Sequence, residues 1–289
     1  MARKTITILK IKISGTEPVE VLKLAVSEAR HKSFFIVTPN PEIVNHAQKD
    51  EVLREILNSA DLSLPDGIGI IAANKFLSLP LPRSQVAKFL KPFLCLGQLI
   101  KVGLAIPFNR KWLESSLKVL PGRVAFQEFI KIAAQKRLRV FLLGSKPGIA
   151  SKAAKNLAAK YNILNTKYYP GPWLNPEGVP INKIEEKKDQ EVIKMINRYR
   201  PHFLFVAFGP PKQEKWVARN LSRLNCGVVM VIGGTLDYFA GKAPFPPKIF
   251  EKLGLEWLWR LLTQPKRLKR ILTAVIIFPL RVYWYKVTR

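Results

Sequence analysis

The strongest constraint on this chain is a repeated alternation. Short, almost wholly apolar runs are each followed by a segment with helical spacing. Phe34-Phe35-Ile36-Val37 precedes a helical stretch from about Pro41 to Leu57. Leu62 to Leu64 precedes Ile68 to Leu77, and Arg139 to Gly144 precedes Pro147 to Tyr161. Phe203 to Gly209 precedes Pro211 to about Leu221, and Val228 to Ile232 ends at Gly233-Gly234. A strand that is apolar along its whole length is covered on both faces, and strands joined through helices run parallel. The pattern therefore predicts an α/β fold: a Rossmann-like, mainly parallel sheet with helices on both faces. Thr5 to Ser14 alternates and reads as one further strand, and Glu20 to Arg30 has helical spacing. Ligands of such folds bind beyond the carboxyl ends of the strands. Thr38, Asp66, Gly144, Gly209 and Gly233 all stand at those ends, so they are expected to meet in one crevice.

Two regions break the rhythm. From about Leu81 to Gly122 the chain is apolar and basic, centred on Phe89 to Phe108. Lys91, Lys101 and two prolines there argue against a clean membrane-spanning helix. A helical hairpin buried on the core and an interfacial segment are the two alternatives. The second region begins at about Pro247. Lys248 to Arg289 holds ten basic residues against Glu251 and Glu256, with Trp257, Trp259, Phe278, Tyr283, Trp284 and Tyr285 interleaved. Basic and aromatic residues together suit a helix lying at a membrane surface. The chain thus divides into an α/β core over 1–246, carrying the 81–122 insert, and a C-terminal helical membrane-binding appendage over 247–289.

Charge narrows the partners. The 289 residues carry 48 Lys plus Arg and 20 Asp plus Glu, a net charge of +28 at pH 7. Such an excess implies an anionic partner: an acidic membrane surface, a phosphorylated substrate or nucleic acid. The basic residues gather beside apolar and aromatic runs and no nucleic-acid module is present, so no nucleic-acid partner is expected. Cys95 and Cys226 form no paired motif, and Met1 to Thr5 opens no long apolar run. Both point to the cytoplasmic side.

Standard catalytic signatures are missing. His31, His46 and His202 form no zinc array, so no metal site is expected. GxSxG, GxxxxGK[ST], GxGxxG and Asp-x-Asp do not occur, which disfavours a nicotinamide-dependent enzyme. Polar residues at strand ends remain. Asp66 lies in Pro65-Asp66-Gly67, where the ordinary reading is a cap on the next helix. Thr38-Pro39-Asn40 opens a helix whose N–H groups and side chains suit an anionic or polyhydroxylated ligand. Gly209-Pro210-Pro211-Lys212-Gln213-Glu214 and Gly233-Gly234-Thr235-Leu236-Asp237 are two more such turns. Lys212 and Gln213 are expected to point at the ligand. Three turns beside Asp66 point to a phosphorylated ligand.

The ordered set Thr38-Pro39-Asn40, Pro65-Asp66-Gly67, Val140 to Gly144, Gly209 to Trp216, Gly233 to Gly241 and Leu253 to Arg260 resembles the WecG/TagA/CpsF family of bacterial glycosyltransferases. The likeness covers nearly the whole chain outside the insert. It implies metal-independent, inverting transfer of an N-acetylmannosamine-type sugar from a UDP-sugar, with no cofactor. The implied acceptor is polyprenyl-diphosphate-linked N-acetylglucosamine, for teichoic acid or a related surface glycan. It makes Asp66 the general base and gives Thr38 and Asn40 the positioning of sugar and acceptor. Gln213 and Glu214 would hold the uridine or ribose end, with Gly144, Gly209, Lys212, Gly233 and Asp237 completing the substrate site. Arg260, Arg267 and Arg270 would meet the lipid diphosphate, and other basic residues of the tail the headgroups at the inner face of the cell membrane. Self-association stays open. The chain departs from the family in two places. Arg123-Val124 is followed by Ala125-Phe126-Gln127 where the family carries Thr-Gly-x-Asp, and Phe245-Pro246-Pro247 replaces Arg-Ala-Pro. These departures bear on donor identity and leave a catalytically altered member, or a basic nucleic-acid-binding protein, as the alternatives.

Overall fold

The computed structural model describes residues 5–15, 26–27, 33–82, 88–163 and 165–289. Most of the helix expected over Glu20–Arg30, and the first four residues, lie outside the described residues. The chain opens with β1 (Thr5–Ile8) and β2 (Ile11–Ser14), an antiparallel pair. One continuous strand is expected there; Leu9 and Lys10 instead take positive φ, 46° and 68°, and fold the segment on itself.

β3 (Phe34–Val37), α1 (Pro41–His46) and α2 (Glu51–Ser59) follow. The single helix predicted over Pro41–Leu57 is two, because Asp50 starts a second one by accepting the Leu53 N–H at 2.9 Å. Next come β4 (Leu62–Ser63), α3 (Ile68–Ser78), α4 (Lys91–Phe108), α5 (Arg110–Leu113) and α6 (Gly122–Gln135). The second half of the core holds β5 (Val140–Gly144), α7 (Ile149–Tyr161), β6 (Thr166–Tyr169) and α8 (Lys183–Tyr199). It ends with β7 (Phe203–Ala207), α9 (Lys212–Asn220), β8 (Val228–Val231) and α10 (Thr235–Phe239). The tail is α11 (Lys248–Lys252), α12 (Glu256–Thr263), α13 (Leu268–Leu272), a π-helical turn at Thr273–Ile277, and α14 (Phe278–Val287).

Six strands form one parallel sheet in the order β4-β3-β8-β7-β5-β6. Side chains along each strand alternate between its faces. Phe35, Val37, Phe141, Leu143, Leu204, Val206, Val229 and Val231 enter one core cluster. Phe34, Ile36, Val140, Leu142, Phe203, Phe205, Val228 and Met230 enter the other. This two-sided burial is why the strands read as unbroken apolar runs. β6 lies at an edge and is half-exposed, and its Thr-Lys-Tyr-Tyr carries no such run.

The insert is not a buried hairpin. α4 is one helix of 18 residues that packs against α3 and α14, and the two prolines sit in its first and last turns. It is the one helix among the described residues long and apolar enough to cross a membrane, judged by length and composition. The tail is knitted into the core: Phe278 and Val282 share the cluster of Val37 and Ile43. Lys286 was expected to face headgroups. It is buried and donates to the Phe76 carbonyl (2.5 Å), the Leu79 carbonyl (2.8 Å) and Gln98 Oε1 (2.6 Å). Three acceptors match the three donors of an ammonium group, so its charge is tolerated there.

Candidate active site

The carboxyl ends of the parallel strands open into one cavity of about 1140 Å³. Because the strands run the same way, the turns after β3, β4, β5, β7 and β8 all contribute to its wall. Thr38, Asn40, Asp66, Gly209, Lys212, Gln213, Glu214, Gly233 and Asp237 line it, and so do Arg260, Arg267 and Arg270. Gly144 is the exception. It stands behind the wall, where a Cβ would lie 2.9 Å from the Ala207 carbonyl carbon, and its neighbours Ser145 and Lys146 face the cavity instead.

Asp66 does not cap its own helix. Gly67 occupies the start of α3 and offers no side chain there. The Asp66 N–H donates to the Pro39 carbonyl at 3.2 Å, and Oδ1 accepts the Gly122 N–H at 3.2 Å. The carboxylate thus meets the first turn of α6, 56 residues further on. Thr38 reaches the same point: a Cβ on Gly122 would stand 3.3 Å from its Oγ1. Burial pushes the Asp66 pKa up to about 6, against the opposing pull of Arg260, the Gly122 N–H and Arg123. A charged carboxylate loses more in leaving water here than these partners return.

Asn40 does the capping that the sequence suggested for Asp66. Its Oδ1 accepts the Ile43 N–H at 3.0 Å at the head of α1. Gln213 is an organising residue. Its Oε1 accepts the N–H groups of Gly209 (3.1 Å) and Gly233 (3.0 Å), and its Nε2 donates to Glu214 Oε1 at 2.8 Å. One buried amide therefore locks two strand-end turns together, although the sequence reading aimed it at a ligand. Glu214 is buried with Oε2 unpartnered, and its burial pushes its pKa up to about 7. Lys212 Nζ donates to the Leu174 carbonyl at 3.2 Å.

The tail supplies the cationic side of the cavity. Arg260 lies over the Tyr238 ring, 5.9 Å from its centre, and its charge reaches Asp66. Arg267 is 4.0 Å from Asp237 and hangs over Gly234. Burial and the nearby charges of Arg270 and Arg260 lower its pKa, the mark of crowded cations. Arg270 pairs with Glu42 at 2.6 Å.

Several further residues line the cavity without having been assigned to the site from sequence. Arg123 donates to Glu251 at 2.7 Å and lies 3.2 Å from Glu256, so the helix after the insert grips the tail. Arg110 comes from the insert itself and pairs with Glu114 at 2.7 Å. Arg123 Nε and Arg110 Nη1 are buried without partners in the cavity wall. Trp173 adds an exposed indole to the lining. The lining also includes apolar side chains, Phe76 from α3, Leu99, Val102 and Ile106 from α4, and Ile271, Val275, Phe278 and Val282 from the tail. One enclosure thus holds a buried carboxylate of raised pKa, several guanidinium groups and a set of apolar side chains.

Comparison with known proteins identifies the family. The family model described as "Glycosyl transferase WecG/TagA/CpsF family" matches residues 6–98 and 103–289. Among similar proteins are those of Staphylococcus aureus strains NCTC 8325 / PS 47, COL and MRSA252. Each is named N-acetylglucosaminyldiphosphoundecaprenol N-acetyl-beta-D-mannosaminyltransferase. Each is 28% identical over 264 residues, covering 91% of this chain and 85% of the relative. With a family match across nearly its whole length, this chain belongs to the WecG/TagA/CpsF family of glycosyltransferases.

Proposed function

We propose that the protein transfers an N-acetylmannosamine-type sugar from a UDP-sugar to N-acetylglucosamine linked to a polyprenyl diphosphate. The observation that carries this reading is the cavity itself. A carboxylate with its pKa raised to about 6 shares one cavity with strand-end turns, tail arginines and a set of apolar side chains. The relatives are named for an undecaprenyl-diphosphate-linked acceptor, which has the matching parts: a sugar hydroxyl, a diphosphate and a long apolar chain.

In this mechanism Asp66 takes the proton of the acceptor hydroxyl. The freed oxygen bonds to the anomeric carbon from the face opposite the leaving group, so the configuration inverts. The bond to UDP breaks and UDP departs with the electron pair. A raised pKa makes Asp66 a stronger base that is still ionised at neutral pH. Thr38, close to Gly122, helps place the acceptor, and Asn40 holds the turn that carries Thr38. The Gly209 and Gly233 turns, joined by Gln213, cradle the donor together with Glu214, Lys212 and Asp237. Arg260, Arg267 and Arg270 neutralise diphosphate charge, which is how this chain does without a metal-holding Asp-x-Asp. The appendage over 247–289 brings these arginines to the site from the cytoplasmic face of the membrane, where the protein binds peripherally.

The test is transfer from a UDP-sugar to a polyprenyl-diphosphate acceptor. Asp66→Asn is expected to reduce transfer by about 10³-fold or more while UDP binding stays near wild type. Full activity in that variant would remove Asp66 as the base.

A further inference from the structure

α4 is apolar on two opposite sides. One side, Cys95, Leu99, Val102 and Ile106, faces the core and the cavity. The other side is a row at every third or fourth position, Phe89 just before the helix and then Phe93, Leu96, Ile100 and Leu104. Successive residues turn about 100° around a helix, so this row forms one stripe. All five residues are exposed, Phe89 by 83% and Phe93 by 70%. A helix on the surface of a water-soluble domain keeps polar residues on its outer side, and this one does not.

Charge identifies what covers the stripe. Between Asp66 and Glu114 the sequence has no acidic residue and seven basic ones, among them Lys88, Lys91, Lys101 and Lys111. Beside α4 lies α14, joined to it through Tyr283 Oη to the Pro92 carbonyl at 3.0 Å and through Lys286 to Gln98. α14 adds exposed Leu280 and Trp284, and no acidic residue follows Glu256. An apolar stripe in a segment whose only charges between Asp66 and Glu114 are positive complements an anionic bilayer: the stripe enters the acyl boundary and the basic surroundings favour anionic headgroups. α4 cannot leave the domain to span that bilayer while Cys95, Val102 and Ala105 stay buried against the core.

We propose that the insert helix α4 is a membrane-seating element. It lies flat in the interface of an anionic bilayer through Phe89, Phe93, Leu96, Ile100 and Leu104, beside the tail. The same helix lines the cavity with its other side. Seating it therefore sets the mouth of the cavity at the depth where a lipid-linked acceptor presents its diphosphate. This deepens the proposed function and rests on it only for the identity of the acceptor. Vesicle binding needs neither donor nor acceptor, so the two readings fail separately.

The experiment is flotation of the full-length protein with phosphatidylglycerol–phosphatidylcholine vesicles, alongside size-exclusion chromatography with light scattering. Phe93→Glu/Ile100→Glu should lower the partition onto vesicles roughly tenfold or more, because it puts charge where apolar side chains enter the bilayer. Phe93→Leu/Ile100→Leu should float like wild type. Both residues lie outside the cavity lining, so transfer to a detergent-dispersed acceptor and the melting temperature should stay unchanged in both variants. Undiminished flotation of the glutamate variant would overturn the proposal. So would a wild-type dimer that the glutamate variant turns into a monomer without loss of flotation, since the stripe would then cover a second copy.

Discussion

Asp66 is held where water cannot fully solvate it, and that placement sets its affinity for a proton. Its carboxyl titrates near pH 6 because burial outweighs Arg260, Arg123 and the Gly122 N–H. As the proposed base it must be ionised, so transfer should rise with pH through an acidic limb near 6 and level off above it. The pH dependence of kcat/KM checks this, and a limb near the ordinary aspartate value would contradict it. Burial also raises the pKa of Glu214, whose second oxygen has no partner. Its pKa is raised from 4.5 to about 7. Across that window the folded chain keeps a proton that the unfolded chain releases, so stability falls as pH rises through it. Glu214→Gln should flatten this slope and gain on the order of 2–3 kcal/mol at pH 8. Thermal melts of both proteins between pH 5 and 8 check it. Neither shift was legible in the sequence. The motifs located both carboxylates, but their desolvation depends on what packs around them.

At the scale of elements, the site is a meeting of the sheet with the 81–122 segment and the C-terminal helices. Arg123 shows how these parts are fastened. It stands at the head of α6, directly after the insert, and grips Glu251 and Glu256 of the tail. The sequence marks this segment as a loss of family polar residues, yet its arginine ties the tail across the cavity. Arg123→Ala should cost about 1–2 kcal/mol, since Glu251 and Glu256 are partly solvated and the pair is screened. It should also loosen α11 and α12, speeding tryptic cleavage after Lys248 and Lys252 and lowering transfer. Unchanged cleavage and activity would show that the tail is held by Phe278, Val282 and Lys286 alone. The other departure, Phe245, joins an aromatic cluster, its ring 5.2 Å from Tyr238 and 5.4 Å from Phe239. Tyr238 in turn carries Arg260, so this substitution replaces a charge with packing beneath another arginine.

For the whole molecule, the proposed membrane binding draws on both the net charge of +28 and the exposed apolar stripe. Salt screens the first and leaves the second in place. Raising the ionic strength from 0.05 to about 0.5 M should weaken flotation with anionic vesicles several-fold without abolishing it. Complete release would mean that charge alone holds the protein on the membrane. Retention independent of salt would mean that charge contributes nothing.

The sequence by itself determined the parallel α/β sheet, because strands buried on both faces must be apolar throughout, and Phe34–Val37 and Phe203–Ala207 are. It also determined which strand-end turns gather, because parallel strands carry their carboxyl ends to one edge. Thr38, Asp66, Gly209 and Gly233 followed from that rule. Only the tertiary structure decided the rest. Gln213 became a clamp between two turns, Asp66 turned to α6 rather than to its own helix, and Arg123 closed on the tail. Each depends on partners 20 or more residues away, as in the pairing of Gln213 with Gly233 and of Asp66 with Gly122. The insert shows the same limit. Its composition marks it as apolar, but only its packing separates the side that faces the cavity from the side left open.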